Sequence, residues 1–413
     1  MTMRVFVYEH ITAGGLAEEN WDLSFAAQGF AMLSSLTRSL KHAGHEVIVA
    51  FDSRISEKLI PHTARRERVA SLSDWSEAIS SLSEDADSAI VIAPEDEGIL
   101  TDVLARIRAD GLEVIGPDNE TSALCSDKVM CTELYSELSL PVPATVSANL
   151  DQILDKSSGI EYPAVLKPAV SSGAIHTSRV SDETELEWLV NRFRGSMRSP
   201  RFVLQEFVEG VDSSVSLLVK DGQMHVLSVN RQHVSLGRPG SISGYHGGES
   251  PFVHPASEKA VSDAKKIIES LPGLKGYVGI DFVLQGEQAV PMDINPRVTV
   301  SAVGIERTRG PKALARILDC AEGALPELPP SRGFSRFEEY LDLPTSADTS
   351  TLEDDYARVM VIPGVVSPPM LLPGGKGTVR PYVCGWGLSR EEARMDLAAV
   401  EKQVDQRLGV VSP

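Results

Sequence analysis

Two short stretches of the chain alternate apolar and polar residues on either side of a turn. Ile280, Phe282 and Leu284 alternate on one arm, and Val290, Met292 and Ile294 on the other. A period of two marks a strand with one buried face. Gln285-Gly286-Glu287-Gln288 between them predicts the turn of a β-hairpin. Nearer the N-terminus, apolar runs at 4–8, 46–50, 89–93 and 113–116 predict strands. Between the first two, Phe25, Phe30, Leu33, Leu36 and Leu40 follow a helical period that ends at Gly44, a suitable C-cap. Another helix is predicted over Ile99–Ala109. Strands alternating with helices imply βαβ units, so residues 1–118 read as one doubly wound, parallel-sheet α/β domain.

The pattern then changes. Residues 119–200 open with a helix bearing Lys128, pass Pro141-Val142-Pro143, and continue with a strand over 162–168, a loop holding Ser171, Ser172 and Gly173, a strand near 176–180 and a helix over 182–194. This reads as a small α/β lobe. Residues 201–345 carry several strands of antiparallel type. The tail, 346–413, has a Gly374–Gly377 turn and a helix from Ser389 to about Leu408. Ser389 with Glu392 three residues on makes a capping box. The tail reads as an extension that packs on the preceding lobe. The fold class is thus α/β with an α+β C-terminal half.

Length, charge and cysteines narrow the function classes. A chain of 413 residues accommodates about two to four domains. A net charge of −19 argues against nucleic-acid or anionic-membrane partners, whose phosphates it repels. No run of about 18 apolar residues predicts a membrane span. The N-terminus reads as a first strand rather than a signal peptide. Cys125, Cys131, Cys320 and Cys384 form no Cys-x-x-Cys pair, which fits a reduced cytoplasmic protein without structural zinc.

The candidate chemistry starts in the hairpin. Folding it at 285–288 brings Asp281 opposite Asp293, or one residue from it, and Asn295 shares the face of Asp293. Facing carboxylates repel unless a cation lies between them. Two carboxylates and an amide oxygen are hard ligands of the kind Mg²⁺ takes beside phosphates. Arg297 adds a positive charge close by. The alternative is a solvated hairpin face. Lys128 and Lys167 are the other candidates, Lys167 because it ends an apolar strand before Pro168. Taken alone, either is more commonly just a surface charge.

These segments together resemble the ATP-grasp superfamily. Asp281 with Asp293-x-Asn295 resembles its metal-binding hairpin, and Asn295-Pro296-Arg297 resembles its biotin carboxylase and carboxylate–amine ligase branch. The resemblance implies an ATP-grasp fold, with ATP held by two Mg²⁺ (or Mn²⁺) ions on Asp281, Asp293 and Asn295. It implies ATP contacts from Lys128 and Lys167, and a phosphate flap at Ser171, Ser172 and Gly173. The linker Gln205–Asp212 is similar to the family's hinge, which gives adenine recognition to Glu206, Phe207 and Val208 and ribose binding to Asp212. Arg231 and Arg297 are expected to hold a carboxylate or acyl phosphate. His233 and His246 are weaker candidates, since a loop histidine is commonly a surface residue.

The first loop, with Glu9, Thr12, Gly14 and Gly15, resembles that of tyramine–glutamate ligases of methanofuran-type cofactor synthesis, as do residues 93–98 and Asn230-Arg231-Gln232. That implies a small-molecule carboxylate such as glutamate, an aromatic amine such as tyramine or tyrosine, and amide formation through an acyl phosphate. A homodimer is compatible. Two rivals stay open: a ligase for other amino acids or nucleotide precursors, and a non-catalytic ATP-binding protein.

Overall fold

The computed structural model describes residues 2–174, 176–194, 201–321, 325, 327–340, 343–344, 349–369, 378–379 and 381–408. The Gly374–Gly377 turn lies outside them.

The N-terminal domain is a four-stranded parallel sheet. Its strands are β1 (Arg4–Glu9), β2 (Glu46–Asp52), β3 (Arg65–Val69) and β4 (Ser88–Ile92), in the order β3-β2-β1-β4. Helix α1 (Leu23–Ala43) starts on the Asp22 side chain and ends at Gly44, whose φ of 93° needs no Cβ. Helices α2 (Leu72–Glu84) and α3 (Ile99–Ala109) complete it. Two details differ from expectation. The run 113–116 gives only a parallel bridge, Ala89 to Val114, rather than a strand. β3 escaped the apolar pattern because Arg-Arg-Glu-Arg-Val is an edge strand with one buried residue, where charge is no handicap.

The predicted helix around Lys128 is two helices, α4 (Asn119–Ser126) and α5 (Lys128–Glu137). Asp127 breaks them with extended backbone, and its carboxylate accepts from the N–H groups of Val129 and Met130. Arg201 also pairs with Asp127. Lys128 is thereby placed as the first residue of a capped helix.

A four-stranded antiparallel sheet follows: β5 (Thr145–Asn149), β6 (Ala164–Pro168), β7 (Ser178–Val180) and β8 (Arg201–Glu206), in the order β5-β8-β6-β7. β8 lies beyond the expected boundary at 200, yet it pairs with β5 and β6. This sheet therefore ends at Glu206, where the linker begins.

The third sheet is seven-stranded and antiparallel. It holds β9 (Val211–Lys220), β10 (Gln223–Ser235), β11 (Gly244–Ser250), β12 (Gly276–Gln285), β13 (Gln288–Asn295), β14 (Phe334–Glu339) and the strand Tyr382–Gly387. The last comes from the tail, so the tail extends this sheet beyond 345. The helix Arg390–Leu408 covers it, with Ser389 accepting from the Glu392 N–H at 3.1 Å as the capping box requires.

The β12–β13 hairpin turns at Gly286, whose φ is 58°. Asp281 pairs directly with Asp293, and the register shifts just after, so that Phe282 faces Pro291. Met292 is the extra residue of this bulge. It was expected on the core face with Val290 and Ile294. Instead Ala289 and Ile294 join the core of Ile280, Phe282 and Leu284, while Met292 lines a cavity.

The α4–α5 break yields a stability prediction. Asp127→Ala removes a cap worth about 1 kcal/mol and should lower the melting temperature by a few degrees. An unchanged melting curve would show that α5 does not depend on this carboxylate.

Candidate active site

The three sheets meet around one cavity of 290 Å³. Its wall carries Asp281 and Asp293 from the hairpin, Lys128 from α5, Lys167 from β6, the Ser171–Gly173 loop, the linker Glu206–Val208, Asp212, Arg297 and Glu9. These side chains come from segments more than 280 residues apart in sequence.

The two acids dominate the electrostatics. Burial and then the Asp293 charge push the Asp281 carboxyl up to about 7, against hydrogen bonds from Asn295 Nδ2 and Gln232 Nε2, each at 2.9 Å. The nearest cation is Lys128, with Nζ 3.9 Å from Asp293 Oδ1. Lys128 Nζ also donates to Ser171 O at 2.5 Å. Lys167 is 7% exposed. Burial lowers its pKa, while Asp293 works the other way and the Lys128 charge adds to the lowering. Four charged groups thus share a low-dielectric wall with both signs present. Two opposed carboxylates, one held near neutrality only by protonation, form a donor set that fits a divalent cation. Among the described residues no group of three His, Cys, Asp or Glu forms a metal site, so Asp281 and Asp293 with the Asn295 amide are the set to consider.

The loop after β6 rests on the N-terminal domain. Ser172 N donates to Asp96 Oδ1 at 3.2 Å, and the Ser172 hydroxyl bonds the same carboxylate. Gly173 has a φ of 60°, and a Cβ there would lie 2.2 Å from the Phe25 ring, so glycine is needed on both counts. Lys128 N donates to Ala169 O, tying α5 to the base of this loop.

Arg297 reaches across the domain boundary. Its Nε and Nη2 donate to the two carboxylate oxygens of Glu95 at 2.9 and 2.8 Å. Glu95 is 4% exposed. Glu95 and Asp96 fall in the 93–98 segment but were not singled out as site residues. Gln232, on Asp281, was also missed. The only sequence signal for them was that their neighbourhoods resembled a known group.

Of the first-loop candidates, only Glu9 lines the cavity. Its carboxylate accepts from Thr12 N at 2.8 Å, Thr12 Oγ1 at 2.6 Å and Ile11 N at 3.3 Å. Burial raises its pKa to about 6, opposed by the Thr12 bonds and more weakly by Arg297. Thr12 thus supports Glu9 rather than facing a ligand. Gly14 and Gly15 stand off the cavity. A Cβ on them would strike Val69 and His10 respectively, so they serve loop packing.

Arg231 is also off the cavity wall. Strand alternation gives the wall to Gln232 and puts Arg231 on the far face, near Phe252. His233 lies 3.8 Å from Glu249, and His246 shares a hydrogen bond with Ser235. Neither lines the cavity.

Residues 125–301 match the family model of an ATP-grasp domain, and residues 45–121 that of a pre-ATP-grasp 3 domain. The tyramine–L-glutamate ligase of Methanocaldococcus jannaschii is 23% identical over 304 residues, which span 73% of this chain and 84% of that protein. Two solved structures share the fold. Biotin carboxylase of Campylobacter jejuni superposes with a TM-score of 0.69 at 16% identity, over 95% of this chain and 89% of its own. L-amino acid ligase of Bacillus licheniformis gives 0.64 at 14% identity, over 98% and 97%. Among the described residues no helix is long and apolar enough to cross a membrane. With its paired acids, its two cavity lysines and both domain matches, the chain is an ATP-grasp ligase of the carbon–nitrogen type, similar to the tyramine–glutamate ligases.

Proposed function

We propose that the protein joins a carboxylate, glutamate being the first choice, to an amine such as tyramine or tyrosine, using ATP and passing through an acyl phosphate. The observation that carries this reading is the convergence of Asp281, Asp293, Lys128, Lys167 and Arg297 on one cavity that continues to the buried Glu9. A nucleotide-binding protein needs a linker and lysines; it has no need of a buried guanidinium and a buried carboxylate beyond the phosphate site.

Roles follow from position. The N–H groups of Glu206 and Phe207 are committed to Ala144 O and Pro163 O, so Val208 N–H is the linker donor assigned to adenine. Asp212 is assigned to the ribose. Asp281, Asp293 and Asn295 would hold Mg²⁺, in two ions, which would supply charge neutralisation at the phosphates. Lys128 and Lys167 add positive charge where the γ-phosphoryl group is transferred. The substrate carboxylate attacks that phosphorus and ADP leaves. The amine then attacks the acyl carbon, and phosphate leaves with formation of the amide. Arg297, oriented by Glu95, donates to the oxygen on which negative charge gathers. Arg231 has no part in this scheme.

The direct test is ADP and phosphate release with MgATP, glutamate and a panel of amines, with the amide identified by mass. Stimulated release with one carboxylate–amine pair is expected. Nucleotide binding with no turnover for any pair would leave a binding protein instead.

Three further outcomes are expected. Asp293→Asn should abolish turnover while leaving the melting temperature of the metal-free protein unchanged or higher, since it relieves repulsion with Asp281. Wild-type turnover in that variant would remove Asp293 from the metal site.

The second concerns pH. Asp281 at about 7 lies above its ordinary value of 3.8, so between those values the folded protein holds a proton the unfolded chain has released. Its contribution to stability therefore falls as pH rises through that window. Mg²⁺ binds the deprotonated pair and offsets the loss. The rise in melting temperature on adding Mg²⁺ should be larger near pH 8 than near pH 5.5, and equal rises would contradict the assignment.

The third is Arg297→Lys, which keeps charge but loses the planar fork. The kcat should fall by on the order of 100-fold, as for loss of one oxyanion donor, with nucleotide affinity little changed. A parallel loss of nucleotide affinity would move Arg297 to the ATP site.

A further inference from the structure

The cavity wall also runs onto the N-terminal domain. Charges link its parts: Asp293 acts on Lys167 and on Asp281, Asp281 acts on Arg297, and Arg297 acts on Glu9. On this side the N-terminal domain contributes Ile11, Phe25, Met32 and Pro94 to the wall, with Gln28 and Glu95 as its other polar residues. Helix α1 is shaped to leave the carboxylate room. A Cβ on Gly29 would lie 2.5 Å from the Glu9 carboxylate carbon.

Glu9 is 2% exposed, and among the described residues no cation stands within ion-pair distance of it. Its three internal hydrogen bonds come from Ile11 and Thr12, which fix its orientation without neutralising it. The nearest guanidinium, Arg297, is committed bidentately to Glu95. A buried carboxylate with no counter-ion is costly unless a ligand supplies the positive charge. An apolar wall around it selects a ligand whose body is apolar.

Resting on the ligase reading above, we infer that the Glu9 end of the cavity is the amine subsite, and that it takes a primary ammonium on an aromatic or aliphatic body carrying no carboxylate of its own. An α-amino acid offered as the amine would bring a second negative charge beside Glu9, and the positive charge of Arg297 is already balanced by Glu95. The subsite therefore discriminates an amine from its α-carboxylated counterpart. It also places the amine nitrogen on the Arg297 side of the metal-binding acids, where the acyl group forms. Burial raises the pKa of Glu9, and an incoming ammonium would bring it back down by stabilising the ionised form.

The test uses the full chain with MgATP and the carboxylate that supports turnover, and compares two acceptors. Hydroxylamine is neutral near pH 7.5 and needs no anionic subsite; an aralkyl amine does. Hydroxamate formation by the wild-type protein reports activation of the carboxylate. Its absence overturns the ligase reading itself and leaves Glu9 without a role. Given hydroxamate, Glu9→Gln keeps an oxygen for Thr12 and loses the charge. The ratio of kcat/KM for the amine to that for hydroxylamine should fall by on the order of 30-fold, carried by KM of the amine, as for loss of a charged hydrogen bond. An equal fall for both acceptors would overturn the subsite and make Glu9 a positioning residue for Arg297. Should the variant not fold, the wild-type protein still decides. The amine should be used about 100-fold better than the same amine with an α-carboxylate, the scale of a like-charge contact, and its KM should rise as pH falls through about 6. Equal use of the two overturns the inference.

Discussion

The opposition of Asp281 and Asp293 is the constraint around which the cavity is built. Two carboxylates facing each other on paired strands in a half-buried cavity wall are unfavourable by themselves. Everything near them reduces that cost. Asn295 and Gln232 donate to Asp281, Lys128 approaches Asp293, and Lys167 stands buried within range of both. Even so, Asp281 is held close to half-protonated at neutral pH. Such a pair stores an electrostatic demand of the kind a divalent cation would meet. The bulge after Asp281 belongs to the same device: it lets the acids face each other while Ile280, Phe282 and Ile294 remain in the core.

A second ion pair joins the domains. Arg297 follows the hairpin, and Glu95 follows β4 of the N-terminal sheet, so their bidentate contact fixes one domain against another. Because both groups are buried, breaking it leaves an uncompensated charge. The loop after β6 adds Ser172 to Asp96, next in sequence to Glu95. The 93–98 segment thus holds both the guanidinium and the loop after β6.

The N-terminal domain contributes more than a support. Its first strand ends in Glu9, and its first helix supplies Phe25, Gln28 and Met32 to the same wall. An open parallel sheet presents ligand-facing loops at the carboxyl ends of its strands, and both Glu9 and Glu95 stand there. Lys128, Lys167, Asp281 and Asp293, on the rest of the wall, come from outside this domain. In the proposed scheme, substrate discrimination and phosphoryl transfer would fall to different domains, joined at Arg297.

Much of this was legible in the chain itself. Period-two alternation located the hairpin and put Asp281 across from Asp293, because side-chain direction in a strand is local. Helix α1 with its glycine cap, helix α3 and the break into an antiparallel half also followed from local pattern. So did the oddity of Lys167, a charge at the end of an apolar strand. Other features needed the tertiary structure. Arg231 and Gln232 are adjacent in sequence, and only strand pairing decides which faces the cavity. Gly14 and Gly15 looked like a ligand loop, yet Val69 and His10 fill the space beside them. β3 showed no apolar signal because an edge strand can be charged, and β8 joined a sheet that its position in the chain did not indicate. The partnership of Glu95 with Arg297 spans 202 residues. Local sequence dictates periodicity, caps and turns; the pairing of distant charges depends on which surfaces are buried together, and that is decided only when the domains pack.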